Sequence, residues 1–98
     1  MARLQGKTVF ISGAAKGLGA EMARLMHNEG ANVMISDVLE DEAIALVDQH
    51  ENMRFVVHDV TDEQGWEKAM AATIEAFGAL DVMVNNAGIV HDGTPTED

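Results

Sequence analysis

The chain contains no cysteine and no tyrosine, one proline, one tryptophan, and only six lysines and arginines among 98 residues. Without cysteine there are no disulfides and no thiolate metal sites, which makes the cytoplasm the expected compartment. The six basic residues stand against 17 acidic ones, for a formal charge of −11. A surface of that sign repels nucleic-acid phosphates and anionic membranes, so neither is expected as a partner. No uninterrupted apolar run approaches the roughly 18 residues of a membrane span. The opening residues, Met1 to Lys7, lack the apolar core and cleavage site of a signal peptide. The expectation is one small soluble domain over residues 1–98, with room for a single core that buries roughly 60 to 65% of the unfolded chain's surface.

Glycine, by contrast, is concentrated where it carries information. Residues 12 to 19 read Ser-Gly-Ala-Ala-Lys-Gly-Leu-Gly, which places Gly13, Gly17 and Gly19 between an apolar run and a helical stretch. The preceding Thr8-Val9-Phe10-Ile11 is β-rich and continuously apolar, as a strand buried on both faces must be. From Leu18 the period changes, and Leu18, Met22, Leu25 and Met26 recur as one face of a helix. Strand, glycine turn and helix together present backbone N–H groups and a positive helix end to a pyrophosphate. A Cβ in the turn would block either its backbone angles or the approach of the phosphates.

The helix stops at Gly30, and Asn32-Val33-Met34-Ile35-Ser36 reads as a second buried strand ending at Asp37. An acid about 20 residues beyond such a turn suits bidentate bonding to a ribose diol, although an Asp there can also serve simply as a loop former. Leu39, Ala43, Leu46 and Val47 mark a short second helix whose acidic start, Glu40-Asp41-Glu42, is favourable at a helix N-terminus. The third strand is Arg54 to His58. Thr61-Asp62-Glu63-Gln64 then matches a capping box, followed by an inner stripe of Trp66, Met70, Thr73, Ile74 and Phe77 and a terminating Gly78. Leu80 to Val84 forms a fourth strand leading into Asn85-Asn86-Ala87-Gly88, and the tail from His91 reads as loop.

This β-α-β-α-β-α-β alternation calls for an α/β fold with a doubly wound parallel sheet of order 3-2-1-4 and right-handed crossovers. The glycine turn, Asp37, Asp59 and Asn86 then share the carboxyl edge of the sheet, where such folds bind ligands. Asp59 has a second reading as support for the following helix N-terminus, and Asn85-Asn86 a second reading as turn formers. With nothing beyond strand four, its outer edge and alternate residues of Val9-Phe10-Ile11 and Val82-Met83-Val84 are expected to form an apolar patch that promotes self-association. The methionines read as core filler and Trp66 as a core anchor. His27, His50, His58 and His91 lack metal-ligand spacing and read as solvated or satisfied.

With these signposts in order, the chain resembles the short-chain dehydrogenase/reductase family across essentially its whole length. Gly13 to Gly19 is similar to the family's G-x-x-x-G-x-G turn, with Lys16, Gly17 and Leu18 inside it. Asp37 falls where NAD-preferring members place a ribose-binding acid, Asp59-Val60 resembles the pair that brackets the adenine, and Asn86-Ala87-Gly88 the segment that lines the adenosine ribose. The resemblance implies a Rossmann fold and hydride transfer between NAD and a secondary alcohol or ketone, most like hydroxysteroid dehydrogenases. Lys16 sits where NADP-preferring relatives carry a basic residue, but Asp37 would repel a 2′-phosphate and Val38 offers no compensating charge, so NAD is expected. The family's Ser and Tyr-x-x-x-Lys residues have no counterpart here. The expectation is therefore a cofactor-binding half, truncated before the catalytic half and inactive alone. The alternative is a stand-alone dinucleotide-binding or regulatory module. A methyltransferase reading is disfavoured because Phe10-Ile11-Ser12 lacks the acid such enzymes place before the glycines.

Overall fold

The computed structural model describes residues 4–15, 17–58, 63–85, 90–91 and 94–95. Strands β1 (Thr8–Ser12), β2 (Asn32–Asp37), β3 (Met53–Val57) and β4 (Val82–Asn85) alternate with helices α1 (Gly17–Asn28), α2 (Glu40–Val47) and α3 (Glu63–Phe77). The four strands form one sheet in the order β3-β2-β1-β4, all neighbours parallel. That is the doubly wound order expected from the alternation.

β1 lies centrally and all five of its residues are buried. Its side chains alternate between two cores, as a strand covered on both faces requires. Val9 and Ile11 join Val33, Ile35 and Met53 beneath α1 and α2. Phe10 and Met34 face the other way, against Ala69 of α3 with Trp66, Met70 and Phe77 around them. The third helix thus covers the face opposite the first two. Trp66 anchors that side, its ring 5.9 Å from Phe10 and 4.4 Å from His58.

Three details differ from the sequence reading. In α1 the side against the sheet is made of Gly19, Ala20 and Ala23, with Met22 and Met26 at its margins, while Leu18 and Leu25 are 60% and 62% exposed. Small residues let the helix backbone sit close to the strands, and the large leucines on the same turns are pushed outward. In α3, Ile74 of the expected inner stripe is half exposed, whereas Thr73 is buried as expected, its Oγ1 donating to the carbonyl of the equally buried Ala69 at 2.8 Å. The tail, expected as loop, contains a short antiparallel pair, β5 (Val90–His91) with β6 (Thr94–Pro95), with Asp92-Gly93 between them in the sequence. An Asp-Gly pair between extended residues is a hairpin signal.

Of the apolar patch expected across β1 and β4, the β1 part is absent, because Val9, Phe10 and Ile11 are fully buried between the helical layers. What is exposed is on β4, at Val82 and Met83. Elsewhere the punctuation follows the residues. Gly30 and Gly78 close their helices at φ 97° and 87°, and the Gly78 N–H donates to the Ile74 carbonyl at 2.6 Å. At the amino edge, Asp81 Oδ2 accepts from the buried Thr8 N–H at 2.9 Å, and the Asp81 N–H donates to the Thr8 carbonyl at 2.9 Å. These two bonds set the start of the β1–β4 pairing.

Candidate cofactor-binding site

The carboxyl ends of β1, β2 and β4 lie side by side, with Ser12 opposite Ser36 on one side and Asn85 on the other. β1 leaves this edge through Gly13 at φ 65°, and α1 begins at Gly17 at φ 68°. Both angles belong to the left-handed region that residues with a Cβ resist. A Cβ built at Gly17 meets nothing within 4 Å, so glycine is required there by the backbone angle and not by crowding within the chain. The space above the start of α1 is open, and the first turn of α1 holds no acidic side chain to compete for its amides. Gly19 is buried against the sheet, where it belongs to the helix–strand contact, and Leu18 is exposed.

Asp37 ends β2 and is drawn into the glycine turn. Its Oδ2 accepts from the Ala15 N–H at 3.0 Å, while Oδ1 accepts from the Val38 and Leu39 N–H groups at 2.7 and 3.1 Å. The neighbouring Ala14 N–H donates to the Ser36 carbonyl at 3.2 Å. The turn therefore leans on the end of β2 through two successive amides. The loop-forming role of Asp37 is real, and it leaves room for a further donor, because a carboxylate offers about four lone-pair sites and three are engaged.

Beyond Asp37, a cleft of about 350 Å³ opens between Val38, the end of β3 (Val56, Val57, His58) and the first turns of α3 (Gly65, Lys68, Ala69). Its walls are mainly apolar. His58 is buried, with both ring nitrogens lacking a partner among the described residues, so it is neither the solvated nor the satisfied histidine expected. His27 and His50, at the opposite end of the molecule, pack edge to face, with His27 Nε2 against the Glu51 carbonyl and His50 Nδ1 against that of Leu46.

Gly13, Gly17, Leu18, Gly19 and Asp37 are thus brought together at one edge. Lys16, Asp59, Val60, Asn86, Ala87 and Gly88 lie outside the described residues. Sequence reasoning missed Ser12, whose Oγ donates to Asn85 Oδ1 at 3.0 Å and links the ends of β1 and β4. The signal was available, since one hydroxyl at the last position of an otherwise apolar buried strand calls for a partner.

Comparison with known proteins agrees with this geometry. The family model for short chain dehydrogenases matches residues 7–98. The chain is 44% identical over 102 residues to a trans-4-hydroxycyclohexanecarboxylate dehydrogenase of Sinomonas cyclohexanicum, a match covering 94% of this chain and 39% of that protein. It is 43% identical over 93 residues to a 3-alpha-(or 20-beta)-hydroxysteroid dehydrogenase of Mycobacterium bovis, covering 94% of this chain and 36% of the relative. Among solved structures, a 3-ketoacyl-(acyl-carrier-protein) reductase from Brucella melitensis, complexed with NADH, superposes with a TM-score of 0.79 at 30% identity, over 82% of this chain and 33% of that one. An open-sided Rossmann sheet with a glycine turn and an acid at its carboxyl edge defines the class, and the chain belongs to the short-chain dehydrogenase family. It spans little more than a third of the length of these relatives. Among the described residues no helix is long and apolar enough to cross a membrane.

Proposed function

We propose that residues 1–98 form the NAD-binding part of an oxidoreductase that moves hydride between NAD(H) and a secondary alcohol or ketone. The observation that carries this reading is the placement of Asp37 against the glycine turn, 3.0 Å from the Ala15 amide. Turn, acid and cleft follow one another in the order of pyrophosphate, ribose and base. Gly13, Gly17, Leu18 and Gly19 receive the pyrophosphate at the start of α1, the remaining acceptor site of Asp37 receives a ribose hydroxyl, and the apolar cleft beginning at Val38 receives the adenine. The family resemblance assigns Asp59, Val60, Asn86, Ala87 and Gly88 to the adenosine pocket, and Lys16 to the position where NADP-preferring relatives carry a basic residue. When bound, the nicotinamide supplies the hydride acceptor or donor.

A carboxylate at the ribose disfavours a 2′-phosphate by like-charge repulsion, which selects NAD over NADP. A secondary alcohol is the proposed substrate because two of the relatives are named for hydroxycyclohexane and hydroxysteroid substrates. Proton transfer is assigned to a Ser and Tyr-x-x-x-Lys set outside these 98 residues, and the cytoplasm remains the proposed compartment on the absence of cysteine. Exposed Val82 and Met83 on β4, paired on the β1 side only among the described residues, support association with further protein, either a second copy or additional chain.

The test is calorimetric titration of the protein with NAD and with NADP. Tighter binding of NAD is expected. Tighter NADP binding would sink the role of Asp37, and binding of neither would sink the assignment of the site.

A further inference from the structure

We propose that Asp37 is a positioning residue for the pyrophosphate turn: its carboxylate straps Ala15 to the end of β2 and so orders the turn before any ligand arrives. This rests on reading the turn as a phosphate site. The carboxylate gathers three N–H donors from two segments that are distant in sequence, Ala15 on one side and Val38 and Leu39 on the other. Leu39, at the N-cap position of α2, has no side-chain cap of its own, so the same group also organises the entry to that helix. One carboxylate therefore joins the glycine turn to the β2–α2 connection.

The position of the strap within the turn gives it a consequence for binding. Ala14 and Ala15 lie between Gly13 and Gly17, two glycine pivots with φ near 65° and 68°. A segment between such pivots is conformationally free unless held. The Ala14 amide is held by the Ser36 carbonyl and the Ala15 amide by Asp37, whereas the space over Gly17 stays open. The entry half of the turn is fastened to the sheet, and the position of Gly17 is left open to a ligand. Without the strap, binding must order the turn as well as contact it, which lowers affinity even for a ligand that never touches Asp37.

Two effects oppose each other when the carboxylate is removed. Hydrogen bonds to a charged group typically change an equilibrium by about 10-fold to 100-fold. Relief of repulsion between the carboxylate and a phosphate about 8 Å away in water favours anion binding by only about twofold to threefold. The strap is the larger effect. An acid acting solely as a ribose contact gives the opposite sign for any ligand without ribose hydroxyls.

ADP and 2′,3′-dideoxy-ADP, titrated into the wild-type protein and Asp37→Ala, separate the two roles. The dideoxy compound is expected to lose about fivefold or more in affinity in the variant, and the Ala15 amide to exchange its hydrogen at least about tenfold faster, with Ala14 less affected. Unchanged or tighter dideoxy-ADP binding, or wild-type exchange at Ala15, overturns the proposal. Failure of the wild-type protein to bind either nucleotide would refute the phosphate site, while the exchange rates would still judge the strap. Should Asp37→Ala not fold, Asp37→Asn leaves one acceptor oxygen for the three donors. Faster exchange at Ala15, or at Val38 and Leu39, is then expected, and wild-type rates at all three overturn the proposal.

Discussion

Gly17→Ala separates what the fold requires at the glycine turn from what a ligand requires. Gly17 opens α1 at φ 68°, and a Cβ there meets nothing within 4 Å. Steric crowding within the chain contributes nothing to the cost, so the penalty is backbone strain alone, about 1–2 kcal/mol for an alanine in the left-handed region. Reduced freedom of the unfolded chain offsets about 0.4–1 kcal/mol of this. The net destabilisation is therefore about 1 kcal/mol, well below the cost of emptying a core site, which is about 3–5 kcal/mol for a buried Phe to Ala. The added methyl projects into the open space over the start of α1, where the pyrophosphate is placed. NAD affinity should fall far more than stability does, by about 100-fold or more if the methyl forces the phosphates off the helix amides. Urea denaturation reads the first quantity and calorimetric titration the second. A stability loss above about 3 kcal/mol would show that the position is crowded. Full retention of NAD affinity would show that the phosphates do not approach there.

Asp81→Ala should cost about 1–3 kcal/mol in urea denaturation, because the Thr8 N–H is buried and loses its 2.9 Å acceptor; an unchanged midpoint would mean that water replaces the carboxylate without loss. In α1, Ala23→Leu should destabilise by about 1–3 kcal/mol through overpacking at a fully buried site, whereas Leu25→Ser, at a 62% exposed position, should stay within about 0.5 kcal/mol. The reverse ranking would restore the leucine stripe as the inner face.

Strand order and glycine turn were legible in the sequence because each leaves a local mark. Val9-Phe10-Ile11 and Val33-Met34-Ile35 are apolar without alternation, as only doubly covered strands are, and glycine at 13 and 17 answers a backbone angle. The inner face of α1 was not legible. Periodicity weighs hydrophobicity and ignores size, while close helix–sheet contact selects Gly19, Ala20 and Ala23 over Leu18 and Leu25. Thr73, by contrast, was legible from its place in the stripe of α3, and its hydroxyl, satisfied one turn back at Ala69, lets it pack as an apolar residue does. Asp37 was identified as an acid at a strand end, but its bond to Ala15 spans 22 residues and depends on how β1 and β2 register. No local pattern encodes that contact. The β5–β6 pair has an Asp-Gly signal in its sequence, but strands of only two residues each leave no alternation to read.

The central claim is that a dinucleotide binds at the carboxyl edge of the sheet, across the glycine turn. The measurement that addresses it most directly is an amide NMR titration with NAD. Saturable shifts are expected at Gly13, Ala15, Gly17, Leu18, Gly19, Asp37 and Val38, with Leu4, Gly6 and Glu51 at the opposite edge unmoved. Shifts clustered at that opposite edge, or none at millimolar NAD, would contradict it.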